Sequence, residues 1–499
     1  MLQGTGSHVG KSILSSALCR ILVEDGYRVA PFKSQNMALN SYVTRAGGEI
    51  GRAQAVQAEA AKVEATVDMN PILLKPTEDS SSQVIIHGRA VKNMTAQEYF
   101  NDSLFGLAAI KASLKRLKEA YQIIVIEGAG SPAEINLREV DLVNMRVAKL
   151  AAAPVILVAD IDPGGVFASI IGTFELLNEE ERSRIKGIII NKFRGEVKRL
   201  KKGIAYLEKE TGVPVLGVIP YFKDLKLPEE DAIPSYIQGS EDYQLDIGII
   251  SLPHISNFTD FASLTQEPGV RVRYLKAQDS LEGVDAIILP GTKNTIGDLE
   301  YLYKSGVADE LIQRANKGTT LVGICGGYQI LGKSISDPFK VESEKESIKG
   351  LGLLDMITTL EQQKTTSQIR AKLLSRDIFM ELYEDILEGY EIHLGQSRLG
   401  KESNSLLEIV KRSGEEVSIR DGAYNEQGNV WGTYLHGIFD NDHFRRKFIN
   451  KLRVDKGLAP IKSELFNIKA KREEAYEKLA TLVRENLDMK KLYQIIGVK

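Results

Sequence analysis

Short, predominantly apolar runs recur along the chain, at 123–126, 155–159, 187–190 and 215–219, and again at 245–251, 284–289, 320–324 and 430–435. Runs this short, apolar on both faces, predict strands buried in a parallel sheet. Between them the period changes. Ile13-Leu14, Ala17-Leu18 and Ile21-Leu22 repeat at helical spacing, and strand and helix signals go on alternating, which predicts a mostly parallel sheet wrapped by helices in each half. Residues 228–234 are acidic and bounded by Pro228 and Pro234, as a domain junction often is. The expected division is therefore a first domain over 1–230, a linker over 231–243, a second domain over 244–455 and a charged helical tail over 456–499. In that tail Glu473, Glu474, Lys478 and Glu485 alternate with alanine and leucine, the pattern of a peripheral helix.

The chemistry of the second half centres on Gly323-Ile324-Cys325-Gly326-Gly327-Tyr328-Gln329. An apolar strand meets a cysteine among glycines and continues into a helical pattern, which describes a sharp elbow displaying one thiol. A buried structural cysteine is the plain alternative, but it has no need of glycines around it. Downstream, a β-prone stretch ends at His436-Gly437. Alone it reads as a packed histidine; paired with the elbow it is a base that can take and return the thiol proton.

The first half opens on Gly4-Thr5-Gly6-Ser7-His8-Val9-Gly10-Lys11-Ser12 at the head of an amphipathic helix. Backbone N–H groups of such a loop face phosphate oxygens, Lys11 reaches the terminal phosphates, and Ser12 can ligate Mg²⁺. Gly4, Thr5, Gly10, Lys11 and Ser12 are thus nucleotide candidates. Thr5 stands where the usual spacing has its first glycine, and only Met1, Leu2 and Gln3 precede the loop, leaving either a very short feeding strand or a natural start upstream. Lys33 closes a second strand, placed to neutralise a transferring phosphoryl group; a surface lysine is the alternative. Gln35, Asn36, Arg52 and Gln54 lie in polar segments rich in glycine that suit a polycarboxylate. Glu127 ends the strand 123–126 and can hold Mg²⁺ with Ser12, with Asp160 a second candidate at the same edge; a loop glutamate is the alternative for Glu127.

Composition excludes more than it selects. The chain has 499 residues, 43% hydrophobic and 26% charged, with a net charge of -3. Nothing in that balance recommends nucleic acid. Basic runs such as 198–202 read as solvated helix faces, and no apolar run is long enough to span a bilayer. Two cysteines, Cys19 and Cys325, make no disulfide framework and fit a reducing cytoplasm.

The elbow and Tyr434-Leu435-His436-Gly437 resemble the glutaminase domain of class I glutamine amidotransferases, and Pro290-Gly291-Thr292-Lys293-Asn294-Thr295 resembles that family's oxyanion loop. The resemblance implies Cys325 as nucleophile, His436 as base, and oxyanion donors at Gly291 and Gly326. Most members carry a glutamate two residues after the histidine. Ile438 stands there instead, as in the cobyrinic acid amidase branch, and no residue is assigned the third place. The loop resembles the dethiobiotin synthetase-like P-loop group, which implies Asn191 against adenine and Pro220 lining its pocket. Phe32-Lys33-Ser34-Gln35-Asn36-Met37, residues 48–54 and residues 70–76 resemble the cobyric acid synthase family, with Ser34 in place of the habitual proline; the match runs to about Phe444. His393, in Gly389-Tyr390-Glu391-Ile392-His393, is by family position substrate-side or structural. The implied fold is a P-loop, mostly parallel sheet domain followed by a class I amidotransferase α/β domain. The implied activity is ATP- and glutamine-dependent amidation of a corrinoid, with Mg²⁺ and no nucleic-acid or membrane partner, and with a homo-oligomer left open. The rivals are cobyrinic acid a,c-diamide synthase, which shares both domains, a partition-type P-loop switch, which carries a lysine where Gly6 stands and has no cysteine elbow, and a synthetase with a dead glutaminase that takes free ammonia.

Overall fold

The computed structural model describes residues 1–78, 81–101, 103–222, 237–240, 242–379, 382 and 385–498. The acidic junction at 228–234 lies outside them. The chain forms two compact units, and neither is a single stretch. The first comprises Met1–Ala38, Glu49–Asp231 and Lys469–Lys499, the second Leu39–Gly48 and Ala232–Ile468.

In the first unit, strands Leu2–Gly4, Val155–Asp160, Ile185–Phe193 and Val215–Pro220 form one parallel ladder in that order. Val29–Phe32 and Ile123–Ile126 form a second parallel pair, joined to the first by a Leu2–Glu127 bridge. The feeding strand of the P-loop is three residues long. It is paired on both sides, with Val155–Asp160 and through Leu2 with Glu127. Helix Lys11–Glu24 follows the loop.

The tail is not peripheral. Helix Ile468–Asn486 buries Tyr476, Leu479, Ala480 and Val483 in the same cluster as Leu14, Leu18 and Ile21, and Arg20 pairs with Glu473 at 2.9 Å. Glu474, Lys478 and Glu485 stay exposed on the other side, so the alternation that reads as a peripheral helix is an amphipathic one with a core to cover.

In the second unit, five parallel strands run in the order Val270–Leu275, Leu245–Ile250, Ala286–Leu289, Thr320–Ile324, Val430–Thr433, with antiparallel strands on both edges. A second, largely antiparallel sheet is built on Met356–Leu373 and Ile386–Leu399. No apolar run announces it, because its strands alternate buried and exposed positions, as a sheet covered on one face does.

Candidate active sites

The thiol of the second unit sits where the elbow was expected. Strand Thr320–Ile324 ends at Cys325, whose backbone has φ 53° and ψ −110°, and helix Gly326–Leu331 starts directly after it. A left-handed backbone at a non-glycine residue is strained and is kept only where the surroundings enforce it. They do so by close approach: a Cβ on Gly327 would lie 2.0 Å from the carbonyl oxygen of Leu289. The Cys325 thiol donates to the carbonyl of Ile392 at 3.4 Å.

Strand Val430–Thr433 lies beside Thr320–Ile324 in the sheet and carries His436 to the same edge. The imidazole is 1% exposed, and its Nδ1–H donates to Asp260 Oδ2 at 2.6 Å. Burial alone would lower its pKa. The Asp260 carboxylate outweighs burial by charge and by hydrogen bond, Cys325 adds to it, and the result is a value raised to about 10. Nε2 makes no hydrogen bond among the described residues, and Cys325 is the remaining group that acts on the ring. A histidine beside a cysteine is the group that activates the sulfur as a nucleophile.

Asp260 was not singled out in the sequence. It lies in the 3₁₀ segment Phe258–Gln266, with no motif around it. The loop after Ala286–Leu289 lies against both the imidazole and the start of the helix that follows Cys325. A Cβ on Gly291 would come 3.4 Å from His436 Cε1, and one on Gly326 would come 2.6 Å from Thr292 Cγ2. Gly291 and Gly326 are thus brought to the sulfur's neighbourhood. The first N–H groups of the helix from Gly326 have no acceptor within it, so they can receive an oxyanion. His393 is not at this base position; it stacks on Tyr434 at 3.8 Å between centroids and bonds Gly395 O through Nδ1 at 2.7 Å.

In the first unit the P-loop wraps Lys11, whose Nζ donates to Gly6 O at 2.8 Å and Gly130 O at 3.1 Å. Gly4 is just as confined: a Cβ there would lie 2.8 Å from Lys11 Nζ. Thr5 is tied by its N–H to Val158 O at 2.9 Å. Gly10 has φ 97°, and a Cβ there would lie 2.1 Å from Asn191 Nδ2. That amide donates to Val9 O at 2.8 Å. Asn191 therefore braces the loop, while its buried Oδ1 has no partner among the described residues. Asp160 pairs with Asn191, and Phe193 with Pro220, in the sheet register, so all lie at one edge of the sheet. Asp160 itself is bound by Lys192 at 2.8 Å.

Glu127 is the hub of this site. It accepts from Ser12 Oγ at 2.8 Å, Lys33 Nζ at 2.9 Å and Gln57 Nε2 at 2.5 Å. Burial would raise its pKa, but the Lys33 charge and the three hydrogen bonds hold it below the usual carboxylate range. Octahedral Mg²⁺ with bonds of 2.0–2.1 Å places neighbouring ligand oxygens about 2.9 Å apart. Ser12 Oγ and Glu127 Oε1 match that spacing and could hold the ion, with Lys33 giving way or sharing the oxygen.

Asn36 Nδ2 donates to Gln54 Oε1 at 3.1 Å, and Arg52 starts the helix that carries Gln54 and Gln57. Gln35 is apart from them. It accepts from Tyr99 OH at 2.6 Å, on the opposite side of its strand from Asn36, as alternation requires. Gln57 was missed, although its i,i+3 spacing from Gln54 puts both on one helix face. Glu49 and Lys75, in the expected polycarboxylate segments, instead pair with each other at 2.6 Å, both buried.

Two family models divide the chain in the same sense. Residues 1–234 match the CobQ/CobB/MinD/ParA nucleotide binding domain, and residues 246–444 match the CobB/CobQ-like glutamine amidotransferase domain. Over 504 residues the sequence is 50% identical to the cobyric acid synthase of Desulforamulus reducens, covering 100% of this chain and 98% of that one. The chain belongs to the cobyric acid synthase family. The family relative from a Thermoanaerobacter species is 52% identical, covering 99% of this chain and 98% of its own. That from Clostridium botulinum strain 657 is 50% identical, covering 100% and 99%. Family membership accounts for a glutaminase site and a nucleotide loop in one polypeptide. Among the described residues no helix is long and apolar enough to cross a membrane.

Proposed function

We propose that this chain amidates the b, d, e and g side-chain carboxylates of adenosylcobyrinic acid a,c-diamide, using ATP and glutamine, to give cobyric acid in cobalamin biosynthesis. The observation that carries the reading is a Cys325–His436–Asp260 arrangement on the same chain as a P-loop with Lys33 and Glu127 at its mouth. Its partners are small molecules, and its setting is the cytoplasm.

Cys325 Sγ attacks the glutamine amide carbon, and the carbonyl electrons move to oxygen, where N–H groups near Gly291 and Gly326 receive the charge. His436 Nε2–H protonates the departing nitrogen as the C–N bond breaks, leaving ammonia and a thioester. Water then attacks the thioester, giving its proton to His436 and releasing glutamate and the thiolate. In the first unit, a corrinoid carboxylate oxygen takes the γ-phosphoryl group of ATP, forming an acyl phosphate and ADP. Ammonia attacks the acyl carbon and phosphate leaves. Lys11 and Lys33 offset charge on the transferring group. Mg²⁺, held by Ser12 and Glu127, supplies further neutralisation of the phosphates when bound. Gln35, Asn36, Arg52 and Gln54 hold the corrinoid's polar rim, and Asn191 and Pro220 meet the base.

Mass spectrometry of the products from the a,c-diamide, ATP and glutamine tests this. The expected product is cobyric acid. Amidation of cobyrinic acid alone, leaving the a,c-diamide unchanged, would assign the chain to the two-site rival. Cys325→Ala should abolish glutamine-dependent turnover and spare turnover with free ammonia; equal loss of both contradicts the division of labour.

A further inference from the structure

Residues 39–48 come from the front of the chain yet belong to the second unit, and their contacts there converge on the histidine. Ser41 N–H donates to Asn257 Oδ1 at 2.9 Å. Gln368 donates to the carbonyl of Val43, and Thr366 Oγ1 donates to that of Gly47 at 2.7 Å. Val43 clusters with Tyr390 and Ile392, and the Tyr390 hydroxyl donates to Ser41 O at 3.3 Å.

Tyr390 is the aromatic neighbour of the base. Its ring lies over the His436 imidazole, centroids 5.1 Å apart and planes 11° apart. The two backbones are also paired, His436 N to Tyr390 O at 2.8 Å and Tyr390 N to His436 O at 3.2 Å. Asn257, which holds Ser41 by its side chain, accepts the N–H of Asp260 on its carbonyl at 3.0 Å. The ring that covers the imidazole and the segment that bears its carboxylate are therefore both tied to Ser41.

We propose that Tyr390 is a positioning residue for His436 and that the segment 39–48 holds it through Ser41. An imidazole carried on a backbone that turns at Gly437 has two ways to leave the sulfur: a swing in its own plane that breaks the Asp260 hydrogen bond, and a tilt out of plane. Asp260 resists the first. A flat ring stacked on the face resists the second. The inference rests on His436 being the glutaminase base.

The test uses the full chain with Tyr390→Leu and Tyr390→Phe. It reads glutaminase kcat and KM, the pH dependence of iodoacetamide alkylation at Cys325, and ammonia-dependent amidation. Misplacing a catalytic group by about 1 Å can cost ~100-fold. For the leucine variant we expect kcat lower by about tenfold or more with KM within about twofold. The pH profile of alkylation should also change, because the thiol and the imidazole react as a pair. Ammonia-dependent turnover should stay within about twofold. The phenylalanine variant keeps the stack and loses the hydroxyl that bonds Ser41, so its kcat should recover to within about threefold of wild type but not fully. Wild-type kcat and alkylation profile in the leucine variant overturn the proposal, as does equal loss of glutamine- and ammonia-dependent turnover. Should the leucine variant not fold, the phenylalanine variant decides: a kcat and profile identical to wild type overturn the role of Ser41. Failure of the underlying reading looks different, since glutamine-dependent turnover would then survive His436→Ala.

Discussion

Asp260→Asn isolates the member of the site that no motif announced. The substitution keeps shape and removes charge. In the native protein Asp260 outweighs the burial of His436 and, with Cys325, raises the imidazole from the ordinary 6.5 to about 10. That difference corresponds to on the order of 5 kcal/mol of preference for the cation. If all of it reached the transition state, the loss would be on the order of 10³–10⁴ in rate. Removing the orienting carboxylate of a serine triad costs about 10⁴. A thiol ionises more readily than a hydroxyl, so the expected loss here is roughly 10²–10³ in glutaminase kcat, with KM little changed. The pH profile of Cys325 alkylation should change, and ammonia-dependent amidation should persist. Stability gives an independent check. A base whose pKa is raised on folding stabilises fully below its unfolded value of about 6.5 and loses that contribution as pH rises through about 10. The gap in urea-unfolding free energy between wild type and Asp260→Asn should therefore be widest near pH 6 and close by pH 10. Glutamine-dependent kcat within about threefold of wild type, or a stability gap that does not vary with pH, would refute the assignment.

Three further outcomes are expected. Gly10→Ala puts a Cβ where Asn191 Nδ2 lies, 2.1 Å away, at φ 97°, so ATP affinity measured by calorimetry should fall by about 100-fold or more. Lys33→Met leaves Glu127 buried without its cation and should cost about 3–5 kcal/mol in chemical denaturation along with synthetase activity; adding Glu127→Gln should restore much of the stability and none of the activity. Tyr476→Ala removes a fully buried ring whose hydroxyl reaches Glu59 at 3.0 Å, and should destabilise the protein by about 3–5 kcal/mol in the same assay, where a peripheral helix would lose almost nothing.

What was legible in the sequence depended on how local its cause was. The strands around Ile123–Ile126, Val155–Asp160 and Thr320–Ile324 announce themselves because both faces are buried. The elbow at Cys325 and the loop at Gly10 are legible because close backbone approach requires glycine nearby in sequence. The helix from Ile468 could not be placed from its own residues: its apolar face reads the same whether it covers a core or lies against solvent, and the residues it covers, Leu14 to Ile21, are more than four hundred positions away. The same holds for Leu39–Gly48, whose polar contacts in the second unit, to Asn257, Thr366 and Gln368, are all distant in sequence.

The third member of the triad shows why spacing is a weak guide to a carboxylate. Where most class I amidotransferases carry glutamate, two residues past the histidine, Ile438 is 1% exposed and packed in the core beside Phe439. A carboxylate on that side chain would be buried among apolar core residues, which is costly. Asp260 arrives from another direction. Asn257, with φ 53°, turns the chain into Phe258–Gln266, and Asp260 then uses both oxygens, Oδ2 on His436 Nδ1 and Oδ1 on the N–H of Gly437 at 3.2 Å. The second bond fixes the carboxylate relative to the backbone that bears the imidazole, so the base and its orienter move as one body. What the chemistry demands is an anion at Nδ1 held against rotation, and a residue nearly two hundred positions upstream meets that demand as well as a neighbour would.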